Sequence, residues 1–240
     1  ILIKYEKRII IGLDNKEEQM FSKQLKDKLD KYHLLKHPFY KSWNDGKLTR
    51  EIIKDYAEQY YQHVKAFPRY VSATHSLCED VKKRKILLEN LKDEEHPNKD
   101  HPKLWKNFAL AIGANGKKIE KAKQEPFTKS LIDNFFKQGR KSYAEGLASL
   151  YTYERQIPEI AETKIQGLKK HYGVNSKKGL EFFEVHKKAD VYHRIACEKL
   201  LDALSKKEQV KAEKAALSTA KYLWNFLSGM VAKHNLKAAA

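Results

Sequence analysis

The stretch His186-Lys-Lys-Ala-Asp190-Val-Tyr-His193 lies inside an uninterrupted helical pattern, and its reading decides the fold. At about 3.6 residues per turn, positions i, i+4 and i+7 share one helix face, so two imidazoles and a carboxylate project side by side. Such a stripe makes poor core, because each polar group needs a partner once it is buried. It makes good use of a helix as half of a metal site; the plainer alternative is a solvated polar stripe. Three ligands on one helix leave the remaining ligands to other helices, and the rest of the chain supplies them.

Outward from this segment, helical patterns cover about 15–37, 49–77, 80–94, 101–113, 126–138, 142–172, 177–204 and 206–232. Apolar residues recur in them at i+3 and i+4 steps, as in Ile53, Tyr56, Tyr60, Val64, Phe67 and Val71. Pro38 is expected to end the first helix and Thr49 to cap the second, while Pro68 should kink the second near Val64. The stretch 94–102 is a polar break with two prolines. No run of period two persists, so the chain reads as an all-α bundle of seven or eight helices in one domain. Residues 1–19 are expected to be an extension outside the functional core, 20–232 the domain, and 233–240 a tail.

The 240 residues are 41% hydrophobic, enough for a substantial core. No apolar run reaches the roughly 18–20 residues of a membrane span, and the first stretch is too broken by charge for a signal peptide. Two cysteines, Cys78 and Cys197, at no metal-like spacing suggest a reducing cytoplasm. The formal net charge of +17 invites a nucleic-acid reading, but only seven of the 48 basic residues are arginine. Base readout and phosphate forks favour arginine, and the lysines are scattered, so no nucleic-acid partner is expected.

A carboxylate-bridged two-metal site in a bundle needs about six ligands from several helices. Glu154 lies within an otherwise apolar face of Leu147, Leu150, Tyr151, Ile157 and Ala161. A buried glutamate there must be paired or metal-bound; otherwise it faces water beside Arg155. Pro158 has no N–H for the carbonyl of Glu154, so the helix should bend within a turn of it. Glu94 and His101 complete a candidate set with Glu154, His186, Asp190 and His193, and Glu95, His96 and Asp100 stand as adjacent alternatives. Three carboxylates with three imidazoles suit iron or manganese better than structural zinc. Tyr40, Tyr56, Tyr60, Tyr61, Tyr151 and Tyr153 fall on helices that would flank the site, where a tyrosine stripe is more commonly core. Lys164 follows Glu154 by ten residues, about 80° round what reads as the same helix, and a lysine is normally a surface residue.

The strings HPFYKSWNDGKLT (37–49), YYQHVKAFPRYVSATHS (60–76), LLENLKDEE (87–95), LYTYERQIPEIAETKIQGL (150–168) and HKKADVYHRIACEK (186–199) resemble the TenA/PqqC superfamily. Within it they are most similar to the chlamydial CADD branch, the protein associating with death domains. The resemblance runs from about Met20 to Val231 and implies the haem-oxygenase-like all-α fold. It implies a dinuclear centre, Fe/Fe or Mn/Fe, on Glu94, His101, Glu154, His186, Asp190 and His193, with O2 as co-substrate. It further implies a self-sacrificing synthesis of 4-aminobenzoate, a folate precursor, in which Tyr40 provides the ring and Lys164 the nitrogen, with Tyr56 a further active-site tyrosine. To serve so, Lys164 must be desolvated or placed near the metals, pointing into the bundle. A homodimer and a death-domain partner are lesser implications. The competing readings are a cofactorless oxidase of the PqqC type and a partner-binding bundle with a structural metal. The cysteine-dependent hydrolysis of the TenA enzymes is not expected, because neither Cys78 nor Cys197 falls where that nucleophile should.

Overall fold

A computed structural model of the chain describes residues 20–236. The expected extension 1–19 and the last residues of the expected tail lie outside the described residues. Among those described there are helices and no strands, and no helix is long and apolar enough to cross a membrane.

The chain opens with α1 (Phe21–Leu29), which is shorter than the sequence pattern suggests. Two single 3-10 turns follow, and the chain then extends at His37 (φ −72, ψ 140). Pro38 does not end α1, which stops at Leu29; it begins a new helix, α2 (Pro38–Asn44). Its missing N–H costs nothing at a first helical position. The His37 side chain accepts a hydrogen bond from the Phe39 N–H, capping the helix that carries Tyr40 and Trp43.

Thr49 caps α3 (Arg50–Ser76) as expected, and α3 continues past Pro68. Then come α4 (Val81–Glu94), α5 (His101–Ala111), a short unanticipated α6 (Gly116–Lys121) and α7 (Pro126–Lys141). The pattern read as one helix over 142–172 is two: α8 (Tyr143–Glu154) and α9 (Ile157–His171). The break falls directly after Glu154, where Pro158 cannot donate to its carbonyl. Lys164 therefore does not share a helix with Glu154, which corrects the angular relation read from the sequence. The last two helices are α10 (Lys177–Asp202) and α11 (Lys206–Lys233), the latter opened by a capping box of Ser205 and Glu208.

The core is built around α8, whose residues from Ala144 to Glu154 are all buried. It packs against α3, α7, α10 and α11. Small residues and hydroxyls permit this: Ser149 and Thr152 return their hydroxyls to the carbonyls of Glu145 and Ala148 at 2.9 and 2.7 Å. A helix enclosed on all sides sets Glu154, its last residue, in the interior. Gly167 of α9 leaves room for the Trp43 indole, which an added Cβ would meet at 2.6 Å.

Two buried histidines give the fold a predictable acid sensitivity. His63 is fully enclosed by the rings of Tyr60, Phe67, Tyr70, Phe135 and Tyr153, and burial pulls its pKa down to about 3. Burial likewise lowers His37 to about 4. An unfolded imidazole takes up a proton near 6.5, so below that pH the unfolded chain binds protons that the fold refuses. The contribution of these two residues to stability falls as pH drops from about 6.5 towards 4. Thermal midpoints of His63→Phe should fall less steeply across that window than those of the wild type, and equal slopes would contradict the account.

Candidate metal centre and its lysine pocket

The stripe on α10 is buried: His186, Asp190 and His193 are 4, 2 and 7% exposed. The structure brings all six candidate ligands together in two buried groups, Glu94 with His101 and His186, and Glu154 with Asp190 and His193. Within each group the potential ligand atoms lie within 4.8 Å of one another. The adjacent alternatives do other work. Glu95 and His96 are exposed, and Asp100 caps α5 by accepting from the Lys103 N–H at 2.8 Å.

The first group forms where the polar break folds back. Glu94 ends α4 and His101 begins α5, with His101 Nδ1 2.7 Å from Glu94 Oε2. Burial opposes a charge on His101, but the Glu94 carboxylate outweighs it and holds the pKa above its usual value. The His186 ring lies 4.1 Å from that of His101, centre to centre, and is stacked against Phe182 at 4.0 Å. His186 Nδ1 sits 2.7 Å from the Phe182 carbonyl, so its proton belongs there and Nε2 is left for a cation. Burial, reinforced by His101, lowers its pKa to about 3, which keeps the ring neutral.

In the second group His193 Nδ1 lies 3.1 Å from Asp190 Oδ1 and 3.9 Å from Glu154 Oε1. Burial pushes Glu154 up to about 7 against the pull of His193. For His193 burial acts downward, yet the Asp190 hydrogen bond and the Glu154 charge lift it to about 10. Both Glu154 oxygens have further neighbours: Asn90 Nδ2 donates to Oε1 at 2.6 Å and the Cys197 thiol to Oε2 at 3.5 Å. Neither Asn90 nor Cys197 is marked in the sequence as part of the site. Asn90 stands one turn before Glu94, a relation visible only once α4 is in place.

The residues fit a pair of cations. His101 Nδ1 and Asp190 Oδ2 are buried without a hydrogen-bond partner, the former despite its short distance to Glu94. Metal–ligand bonds of about 2.0–2.2 Å place neighbouring donors roughly 3 Å apart, the scale of these separations. A cation in each group would satisfy both orphaned atoms.

Beside the metal groups lies an unusual lysine. Lys164 is 3% exposed, against the surface expectation for its residue type. Its Nζ donates to Tyr56 Oη at 2.6 Å, and Tyr56 Oη shares a 3.1 Å hydrogen bond with Tyr40 Oη. Six rings, those of Tyr40, Trp43, Tyr56, Tyr60, Trp105 and Phe183, surround Nζ with centroids 5.0–5.9 Å away. Burial holds its pKa well below the usual lysine value, and burial raises the phenols of Tyr40 and Tyr56. Burial thus disfavours charge on the amine and on both phenols alike. Tyr60 Oη donates to Tyr153 Oη at 3.0 Å beside them. Lys164, Tyr60, Tyr153 and His186 together line a cavity of about 10 Å3 between the lysine and the first metal group.

Residues 22–233 match the TENA/THI-4/PQQC family, and the chain belongs to that family. A 4-aminobenzoate synthase from Nitrosomonas europaea is 40% identical over 224 residues, covering 88% of this chain and 90% of that protein. The 4-aminobenzoate synthase of Chlamydia muridarum is 38% identical over 212 residues, again 88% and 90%. Among solved structures, a TenA homologue from Pseudomonas syringae superposes with a TM-score of 0.75 at 18% identity, covering 88% of this chain and 93% of that one. A domain from Shewanella denitrificans with a haem-oxygenase-like fold gives 0.72 at 17% identity, covering 91% and 94%. The all-α, haem-oxygenase-like architecture and the superfamily expected from the motifs are both found.

Proposed function

We propose that this chain is an O2-dependent dimetal oxygenase that makes 4-aminobenzoate from its own Tyr40 and Lys164. The relatives of that name, at 38–40% identity, support the activity. The observation that carries the self-sacrificing part is the buried amine of Lys164, bonded to Tyr56 and through it to Tyr40, with almost no free space beside it. A cavity of about 10 Å3 has room for roughly one water-sized molecule and not for a separate aromatic substrate. That favours a ring belonging to the protein over the bicyclic external substrate that a PqqC-type oxidase would need.

Product and residue match in connectivity. 4-Aminobenzoate carries its carboxyl carbon and nitrogen para to each other, as tyrosine carries Cβ and its phenolic oxygen. The ring with Cβ leaves Tyr40 by breaking the Cα–Cβ bond, and the nitrogen leaves Lys164 by breaking the Cε–Nζ bond as the ring C–O bond gives way to C–N. In balance, the two side chains and three oxygen atoms from O2 give 4-aminobenzoate, a hydrogen on the Tyr40 Cα, an aldehyde at the Lys164 Cε and one water, with O2 as the oxidant of Cβ and Cε. Glu94, His101 and His186 would hold one cation and Glu154, Asp190 and His193 the other. Iron, or manganese with iron, supplies O2 binding and oxidising capacity when bound there.

The chain does the rest. Burial favours the uncharged form of Lys164, in which its lone pair is available. Tyr56 fixes the amine by its hydrogen bond, and the aromatic cage excludes water from both reacting side chains. The Glu154–Pro158 break lets α9 leave α8 and present Lys164 from its own direction. The test is aerobic reduction of the metal-loaded chain without any added aromatic compound. 4-Aminobenzoate should form, and peptide mapping should show mass lost at Tyr40 and Lys164. Product that appears only when an external ring compound is added would overturn the reading.

A further inference from the structure

The two histidines of the α10 stripe present opposite nitrogens. His186 has Nδ1 against a backbone carbonyl at 2.7 Å, leaving Nε2 for the cluster. His193 has Nδ1 towards the cluster, 3.1 Å from Asp190 Oδ1, and its Nε2 turned away. That outward nitrogen lies 3.1 Å from Oδ2 of Asp93. A neutral imidazole has a single N–H, and a cation takes the lone pair of the other nitrogen. Whichever group accepts the N–H therefore fixes both the tautomer and the ring direction.

We infer that Asp93 is a positioning residue for His193, accepting the Nε2–H hydrogen bond and so holding Nδ1 on the Glu154–Asp190 cation site. The inference rests on the metal reading of the two buried groups. Nothing marks Asp93 in the sequence beyond its place in a charged run, and its side chain is 56% exposed. Its position on α4 gives it the role. Asn90, Asp93 and Glu94 stand at i, i+3 and i+4, which puts them on one helix face. Asn90 holds Glu154 at 2.6 Å, Asp93 meets His193 at 3.1 Å, and Glu94 belongs to the other group beside His101 at 2.7 Å. One turn of α4 thus touches both metal groups, contributing a candidate ligand to the first and two orienting side chains to the second.

An exposed carboxylate beside a histidine has a simpler explanation, a surface ion pair of little consequence. The two explanations part when a metal binds. An ion pair with a charged imidazole is lost once the cation displaces the ring proton, whereas an orienting hydrogen bond to Nε2–H survives and strengthens the ligand.

The experiment titrates metal-free wild type, Asp93→Ala and Asp93→Glu with Mn2+ alone in a calorimeter, with circular dichroism to check the fold. Outer partners of metal-bound histidine are worth roughly 10–100-fold in metal affinity. One of the cations should bind to Asp93→Ala more weakly by about that factor. The other cation should bind as before, full stoichiometry should be reached at saturation, and Asp93→Glu should recover part of the loss. Wild-type affinity in Asp93→Ala would reduce the contact to a surface pair and overturn the inference. Loss of one cation even at saturation would also overturn it, by making Asp93 a ligand. A wild type that binds no cation would instead defeat the metal reading, a different and distinguishable failure.

Discussion

Lys164→Arg is expected to stop 4-aminobenzoate formation while leaving the cations bound. Arginine keeps the approximate length of lysine but has no primary amine to transfer, and it is never neutral in a protein. Product after aerobic reduction should fall by roughly a thousandfold or more, the scale on which removal of a nucleophile acts. Elemental analysis should return the wild-type metal content, because Lys164 lies across the small cavity from His186 and is no member of either metal group. A guanidinium enclosed by six rings is costly to bury, so Lys164→Met, which also lacks the amine but carries no charge, is the companion variant. Tyr40→Phe should have the same outcome for the opposite reason, keeping the ring and removing the phenolic oxygen that marks the site of amination. Native levels of product from Lys164→Arg would mean that the nitrogen comes from elsewhere, and the chain would then be an oxygenase with an external amine.

Asp190→Ala should have the next largest effect, on metal content itself. Asp190 Oδ1 neighbours His193 at 3.1 Å, and its Oδ2 is buried without a partner. Removing it leaves Glu154 and His193 with too few donors to hold a cation, while Glu94, His101 and His186 keep theirs. Metal content measured by elemental analysis should drop from about two ions per chain to about one. On the proposed dimetal mechanism, product should be lost with it. Unchanged stoichiometry would remove Asp190 from the site and with it the reading of the α10 stripe.

Much of this was legible in the residues, and the parts that were not have physical reasons. The α10 stripe declares itself because a period of 3.6 puts His186, Asp190 and His193 together wherever the helix packs. The break after Glu154 follows from one missing N–H at Pro158. By contrast, α2 was hidden because its cap is the ring nitrogen of His37, not one of the short side chains that usually signal a helix start, so Pro38 looks only like a stop. The six-residue α6 is too short to show a period. Lys164 has no local mark of burial. An isolated lysine on an amphipathic helix reads as surface, and what buries it is a cage assembled from α2, α3, α5 and α10, which only the family motifs anticipate. Asn90 and Asp93 were invisible for a related cause: their partners lie on α8 and α10, far away in the chain.

The central claim is that the chain consumes its own side chains, and one isotope experiment tests it most directly. The protein is produced with heavy nitrogen only at lysine Nζ, loaded with iron or with manganese and iron, and reduced in air with no aromatic compound or amine added. The account predicts 4-aminobenzoate carrying the heavy nitrogen, together with mass loss confined to the peptides that contain Tyr40 and Lys164. Product carrying light nitrogen, or product formed while both peptides keep their full mass, would contradict it.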